Sequence, residues 1–221
     1  MKTILMKKFQ MAILLTIIVI GFMGNTHLAF AKDTNKKAHK AYAETINQLD
    51  NVICEGYYFK YFTLFDLNND GIDECIVNYI CGRGEENTFS KMKNSYKNPA
   101  SNTILFYTYY NGKVKKLYEL FYYDGNGGAL FINKKKGTVT DYWHASAFEE
   151  GGTTYSVKNG KFKQIHSYQY NENIDEYKSD GKNVSKDTLH KKMKKLGVYE
   201  STTFQFYKGT KKNVSKYCFL D

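Results

Sequence analysis

Oxygen-bearing side chains recur at every second position of one short segment, immediately ahead of a turn glycine, Gly71. Carboxylate, carboxamide and carbonyl oxygens are the ligands that Ca²⁺ prefers, and about six to eight of them surround the ion. Side chains spaced in this way converge on one point if the backbone coils sharply at the glycine. We therefore predict a structural Ca²⁺ site. Its ligands are Asp66, Asn68, Asp70, the backbone carbonyl of Ile72, and Glu74.

The spacing departs from that of an EF-hand, the helical calcium sensor. Counted from Asp66, the place of the bidentate glutamate of an EF-hand is taken by Val77. The flanking segments, Tyr57 to Phe65 and Cys75 to Ile80, are rich in aromatic and β-branched residues and predict strands. The ion is therefore expected to neutralise crowded carboxylates and to fix the register of two strands. The alternative is a polar hairpin turn that binds no metal.

This segment resembles the strand-flanked D-x-D-x-D-G-x-x-[DE] loops of FG-GAP-type repeats, and similar segments of uncharacterised exported Gram-positive proteins. The resemblance is local: it covers the loop with its flanking strands and, more loosely, Tyr177 to Leu196. It implies calcium binding between two strands. Asn68 stands where these loops more commonly carry aspartate, which removes one negative charge and is expected to weaken the affinity.

The N-terminal segment has the features of a cleaved export signal. Three lysines precede an apolar run from Met11 to Phe22, and Ala29-Phe30-Ala31 follows as a small-residue cleavage pattern. The apolar run is shorter than the roughly 20 residues that cross a bilayer, which disfavours the alternative of a retained anchor. We predict a signal peptide over 1–31 and a single secreted α+β domain over 32–221. The product is expected to be secreted or associated with the cell wall, without stable membrane insertion after cleavage.

The charge pattern bears on possible partners. The chain carries a formal net charge of +10, almost wholly from lysine, and Arg83 is its only arginine. Nucleic-acid binding usually employs arginine forks and a recognisable motif, and neither is found, so nucleic acid is not expected as a partner. A basic exported protein is attracted to anionic wall polymers such as teichoic acids. We expect such a polymer or another protein as partner; the oligomeric state is left open.

The four cysteines permit two interpretations. Export allows disulfides, and two bridges joining Cys54 and Cys218 to Cys75 and Cys81 are one possibility. Buried free thiols are the other. A zinc site is not expected, because no C-x-x-C or paired Cys/His spacing occurs.

Two Asn-Gly pairs, Asn111-Gly112 and Asn159-Gly160, separate apolar and aromatic runs. Both predict tight hairpins, because a type I′ turn needs two positive φ angles that Asn and Gly adopt at little cost. In the second hairpin a two-residue loop puts Val157 opposite Phe162 on one face.

A third hairpin is expected between Ala129 to Asn133 and Thr138 to Ser146, whereas Gly82 to Ser101 predicts an exposed loop. The fold class is therefore α+β: an antiparallel β meander of about seven or eight strands with an N-terminal helix and short C-terminal helices.

Helical periodicity marks both ends of the predicted domain. Thr34 to about Val52 is amphipathic. Near the C-terminus Ser185 is a suitable N-cap for a helix that ends at Gly197, and Thr210 caps a second short helix.

The favoured function is a secreted calcium-binding module that acts by binding an extracellular or cell-wall partner. The alternative is a secreted hydrolase whose active site is assembled by the fold, with His144, Glu149, Glu150 and His166 as candidates. We find no carboxylate pair with the geometry of a hydrolase, because both glutamates are predicted in a solvated turn. The single tryptophan, Trp143, is predicted in the core. A purely structural accessory domain is the third possibility.

Overall fold

The computed structural model describes residues 31–49, 57–82, 95–97, 103–121 and 128–219. The predicted signal peptide, apart from its last residue, lies outside these ranges, as do Cys54 and most of the Gly82 to Ser101 loop. In chain order the elements are α1 (31–48), β1 (Tyr57–Phe65), β2 (Glu74–Gly82), β3 (Ser95–Lys97), β4 (Thr103–Tyr110), β5 (Lys113–Phe121), β6 (Ala129–Asn133), β7 (Thr138–Ser146), β8 (Glu149–Lys158), β9 (Lys161–Asn171), β10 (Glu176–Ser179), β11 (Lys182–Asn183), α2 (Lys186–Leu196), β12 (Gln205–Lys208) and α3 (Lys211–Cys218).

The described strands form two six-stranded antiparallel sheets. The first has the order β3-β12-β1-β2-β4-β5, so the C-terminal strand β12 returns to pair with β1. The second, β11-β10-β9-β8-β7-β6, is a continuous meander in which each strand pairs with the next one along the chain. Local pairing therefore builds the second sheet, whereas the first needs a contact between distant parts of the sequence.

The two sheets share one apolar core, and each also packs helices on its other face. Apolar clusters hold these layers together, because the full burial of one large apolar side chain contributes about 1.5–3 kcal/mol to stability. The core between the sheets includes Tyr61, Leu67, Ile76 and Phe106 from the first sheet and its loops, and Ile132, Val139 and Val157 from the second. α1 and α3 cover the first sheet through Ala38, Tyr42, Ile46, Val214 and Cys218, against Phe62, Val77 and Leu105. α2 covers the second sheet through Leu189 and Met193, against Tyr168 and Tyr177.

The predicted class is confirmed: the described chain is mostly antiparallel sheet, with an N-terminal helix and short C-terminal helices. The structure adds the division into two sheets and short edge strands such as β3. Strand β3 lies inside the segment predicted as a loop; that prediction is wrong for residues 95–97, because they pair with β12 from the far end of the chain. The first helix covers 31–48, so its predicted start at Thr34 is a few residues late.

The hairpin and capping predictions are confirmed. Asn159 (φ 52°) and Gly160 (φ 64°) form the β8–β9 turn, and Val157 pairs with Phe162. Asn111 and Gly112 form the equivalent β4–β5 turn. Helix α2 begins at Ser185, whose side chain accepts the Thr188 N–H, and it ends at Gly197 in the left-handed conformation. Helix α3 begins at Thr210, whose side chain accepts the Asn213 N–H.

No helix among the described residues is long and apolar enough to cross a membrane.

Candidate functional site

The predicted calcium loop connects β1 to β2, and its side chains accept hydrogen bonds from the loop's own backbone. The Asp66 carboxylate accepts the N–H groups of Asp70 (3.1 Å) and Gly71 (2.9 Å). Asn68 Oδ1 also accepts from Asp70 N–H (3.0 Å), and Asp70 Oδ1 accepts from Ile72 N–H (2.9 Å). These bonds are possible because Gly71 has a φ of 85°, which turns the chain sharply. The polar side chains of the loop therefore hydrogen-bond to its own backbone N–H groups.

Glu74, the last predicted ligand, is only 1 % exposed. Its carboxylate accepts hydrogen bonds from the Leu67 N–H (2.9 Å), the Thr108 hydroxyl (3.0 Å) and the Asn68 amide (3.3 Å). Burial raises the pKa of Glu74 to about 7, and the charges of Asp70 and Asp66 act in the same direction against the bonds from Leu67 and Thr108. A buried carboxylate is therefore held beside two further carboxylates without a matching positive charge in the loop itself.

In the described part of the chain, no group of three or more His, Cys, Asp or Glu side chains has the arrangement of a metal site. The structure brings Asn68 and Glu74 into contact and joins Asp66 to Asp70 through a backbone N–H. The side chain of Ile72 packs against the core beneath α1. Carboxylate oxygens that accept one N–H keep further lone pairs. Calcium binding by Asp66, Asn68, Asp70, Ile72 and Glu74 stays a prediction.

Helix α1 is fastened to this loop through Asp73. The Asp73 carboxylate lies 2.7 Å from His39 Nε2 and accepts the Asn35 amide (3.3 Å), while its carbonyl accepts the Tyr42 hydroxyl (2.9 Å). Burial raises the pKa of Asp73, but the bonds from His39 and Asn35 outweigh it, so the pKa is lowered overall. The ionised loop residue thus anchors the first half of the helix.

The tip of the β6–β7 hairpin also reaches the loop. A Cβ added at Gly137 would lie 3.2 Å from the Leu67 carbonyl oxygen, which shows how closely the two turns approach. The positive charge of Lys134 lowers the pKa of Asp73. The loop is therefore in contact with both sheets and with α1.

A second polar cluster lies on the outer face of the second sheet. The Glu150 carboxylate accepts hydrogen bonds from three tyrosine hydroxyls: Tyr142 (2.7 Å), Tyr170 and Tyr199. Burial and the Glu150 charge raise the pKa of Tyr142 to about 12, and those of Tyr170 and Tyr199 also rise. The phenols therefore stay protonated donors at neutral pH. The fourth tyrosine, Tyr168, is 4 % exposed, and its hydroxyl has no hydrogen-bond partner among the described residues.

Strand register and one glycine place these rings. Glu150 pairs with Tyr170 on β9, and Gly152 pairs with both Tyr142 on β7 and Tyr168 on β9. A Cβ at Gly152 would lie 2.8 Å from the Tyr168 ring, so the missing side chain makes room for that ring. Tyr199 comes from another element: it follows the left-handed cap that ends α2.

The sequence signal for this cluster was incomplete. Glu150 was predicted in a solvated turn, which is wrong, because it lies in β8 and its carboxylate is enclosed by phenols. Alternation of tyrosines in β9 could have pointed to Tyr168 and Tyr170, but nothing local signals Tyr199. Trp143 is also misplaced by the prediction: it is 39 % exposed and lies against Gly151 on the opposite face.

Of the four residues proposed for a hydrolase, His144 and Glu150 are cross-strand partners on β7 and β8. His166 is completely buried and its Nδ1 lies 3.1 Å from Asp180 Oδ1. Glu149 accepts from the Gln169 amide (3.2 Å). No described hydrogen bond joins any two of His144, Glu149, Glu150 and His166.

Cys75 and Cys218 are buried free thiols in the core beneath α1 and α3. Burial raises the pKa of Cys218 to about 12 and that of Cys75 well above its ordinary value. The free-thiol interpretation holds for these two in the structure. The Cys54 residue and the Cys81 side chain lie outside its described part.

No protein-family model matches this chain, and no curated protein or solved structure matches it either.

Proposed function

We propose that this protein is an exported calcium-binding module that acts by binding an extracellular or cell-wall partner, with calcium in a structural role. The observation that carries the proposal is the position of Glu74. Its carboxylate is 1 % exposed and stands beside Asp66 and Asp70. Burial, with a smaller contribution from the charges of Asp70 and Asp66, raises the pKa of Glu74, and a divalent cation at this loop would act in the opposite direction.

The surroundings of the loop explain what such an ion would do. Asp73, next to Glu74, fastens α1, and Thr108 ties Glu74 to the neighbouring strand β4. Fixing the loop would therefore hold the helix and the first sheet in one arrangement. This is a structural role, because the loop lacks the flanking helices that an EF-hand opens.

The binding role rests on the basic charge of the predicted mature chain, which is +10 minus the three lysines of residues 1–31, or +7, and on the absence of hydrogen bonds among the hydrolase candidates in the described residues. The hydrolase alternative has no comparable observation in its favour.

The calcium proposal is tested by thermal melting of the purified protein in about 1 mM calcium, in chelator and in magnesium. A ligand that binds the native state stabilises it by about 2.7 kcal/mol at a hundredfold excess over its Kd, so a rise in Tm of several degrees is expected with calcium.

The informative variant is Asp70→Asn, which keeps an oxygen for the Ile72 N–H but removes one charge. It should lose most of the calcium-dependent rise in Tm. Asp175→Asn, at an exposed turn between β9 and β10, is the matched control and should keep it. Identical melting curves in calcium and chelator would reject the calcium site.

A further inference from the structure

The Glu150 carboxylate is held by phenol hydroxyls and takes part in no ion pair between described residues. The carboxylate accepts hydrogen bonds from three phenols. None of the ion pairs between described residues includes Glu150, although the chain carries 32 Lys and Arg residues. An enclosed charge of this kind is stabilised by a counter-ion.

Two of the phenols that hold Glu150 also line an open cleft between the sheet and α2. The cleft has a volume of about 480 Å³, which is large enough for a small ligand. Its wall is formed by Tyr170, His190, Met193, Val198, Tyr199 and Glu200. Lys194 also contributes to the lining, but its side chain is exposed.

The aromatic rings around the carboxylate stand at steep angles to one another. The ring planes of Tyr199 and Tyr142 make an angle of 73°, with centroids 6.2 Å apart. The ring planes of Tyr199 and Tyr168 make an angle of 78°, with centroids 6.3 Å apart. His190 meets the Tyr170 ring at 75°. Of these rings, Tyr170 and Tyr199 line the cleft, and the face of an aromatic ring attracts cations. Tyr199 is 46 % exposed, so this part of the cluster is reachable from solvent.

The chemistry of the wall selects the kind of cation. A hard metal ion needs about six oxygen ligands, whereas this cleft presents rings and the apolar side chains of Met193 and Val198. A neutral sugar needs free hydrogen-bond acceptors, but the phenols already occupy three of the roughly four lone-pair positions of Glu150. An alkylated ammonium group needs only charge and ring faces.

We infer that the cleft between α2 and the outer face of the second sheet binds an alkylated ammonium group, held by the rings of Tyr170 and Tyr199 and by the charge of Glu150. This site gives the binding role of the proposed function a ligand chemistry, but it involves no predicted calcium ligand. The group belongs either to a small free molecule or to a polymer that carries it, and the chemistry of recognition is the same.

The test compares choline with its neutral isostere 3,3-dimethylbutan-1-ol, by ligand-detected NMR titration of the unmodified protein. Choline is expected to bind with a Kd of about 1 mM and about tenfold more tightly than the isostere, because one is charged and the other is not. Equal binding of both compounds, or no binding of choline, overturns the inference. A polymer source is favoured if a polymer bearing several such groups binds more tightly than choline itself.

The variant arm uses two adjacent glutamates. Glu150→Gln removes the charge at the centre of the cluster and should weaken choline binding about tenfold. Glu149→Gln, whose parent side chain accepts from Gln169 instead, should leave it unchanged. Unchanged binding in Glu150→Gln contradicts the assignment. Because the choline comparison uses the unmodified protein, it stands even if Glu150→Gln folds poorly. Repeating both arms in chelator separates this site from the calcium loop. If calcium does not raise the Tm but choline still binds, only the calcium site is refuted.

Discussion

Strand alternation gives neighbouring carboxylates different surroundings in β8. Glu149 accepts one hydrogen bond from the Gln169 amide, whereas Glu150 points to the opposite face and accepts three phenols. In a strand, successive side chains lie on opposite faces, so one residue step moves a charge from one environment to another. Both carboxylates are partly buried, and the register of the strand decides which hydrogen-bond donors each one has.

His166 provides a residue-scale prediction about pH. It is completely buried beside Asp180 and beneath Tyr168, and Lys192 bonds the same aspartate. Burial lowers the pKa of His166 below its ordinary value, although Asp180 opposes this and Lys192 supports it. An unfolded histidine binds a proton near pH 6.5, so the unfolded state binds more protons than the native state below that pH. The contribution of His166 to the free energy of unfolding should therefore have its full value above about pH 6.5 and decrease as the pH falls through the lowered pKa.

The measurement is denaturant unfolding of the unmodified protein and of His166→Asn at several pH values between about 7.5 and 4.5. This is about the range in which histidine titrates. Asparagine keeps a donor for Asp180 but does not titrate. The unmodified protein should lose more stability than the variant as the pH falls. Parallel curves would show that His166 does not titrate differently in the two states.

At the scale of elements, the two Asn-Gly turns form a matched pair. Gly112 (φ 74°) has no atom within 4 Å of an added Cβ, whereas at Gly160 (φ 64°) that Cβ would lie 2.7 Å from the Tyr110 ring. Tyr110 ends β4 in the first sheet, so Gly160 marks a contact of a hairpin in the second sheet with the first. Gly112→Ala should cost about 1 kcal/mol from left-handed strain alone.

Gly160→Ala should cost about 2–4 kcal/mol, because overpacking against Tyr110 adds to the same strain. Chemical denaturation of both variants measures the difference. Equal losses would mean that Tyr110 moves aside freely and that this contact does not help to hold the sheets together.

At the scale of the whole molecule, the β1–β2 loop is a junction between layers. It contacts α1 through Asp73, β4 through Glu74, and the β6–β7 hairpin at Gly137. If calcium holds this loop, its removal should loosen all three at once.

Amide hydrogen exchange in calcium and in chelator measures this effect. We expect faster exchange in chelator over residues 35–42 of α1, over the loop itself and at the β6–β7 turn, with α2 unchanged as the internal control. Uniform acceleration throughout, or none, would contradict the role of the loop as a junction.

Local patterns predicted the local structure well. The Asn-Gly turns, the caps at Ser185 and Thr210 and the pairing of Val157 with Phe162 follow from backbone preferences and from side-chain alternation within a few residues. The long-range pairing of β12 with β1 and β3, which completes the edge of the first sheet, has no such local signal. The burial of Glu74 belongs to this second kind, because Thr108 reaches it from another strand.

Local sequence was enough to predict the α+β class, the hairpins and the helix ends, because these depend on φ preferences, capping groups and the periodicity of apolar side chains. It also determined the set of oxygens in the β1–β2 loop as a candidate for calcium. The contact of Tyr199 with Glu150 depends on the fold, since the cap of α2 and the register of β8 bring the two residues together across 49 positions of the chain. Contacts of that kind depend on how layers pack, and packing is a property of the whole fold rather than of any single segment.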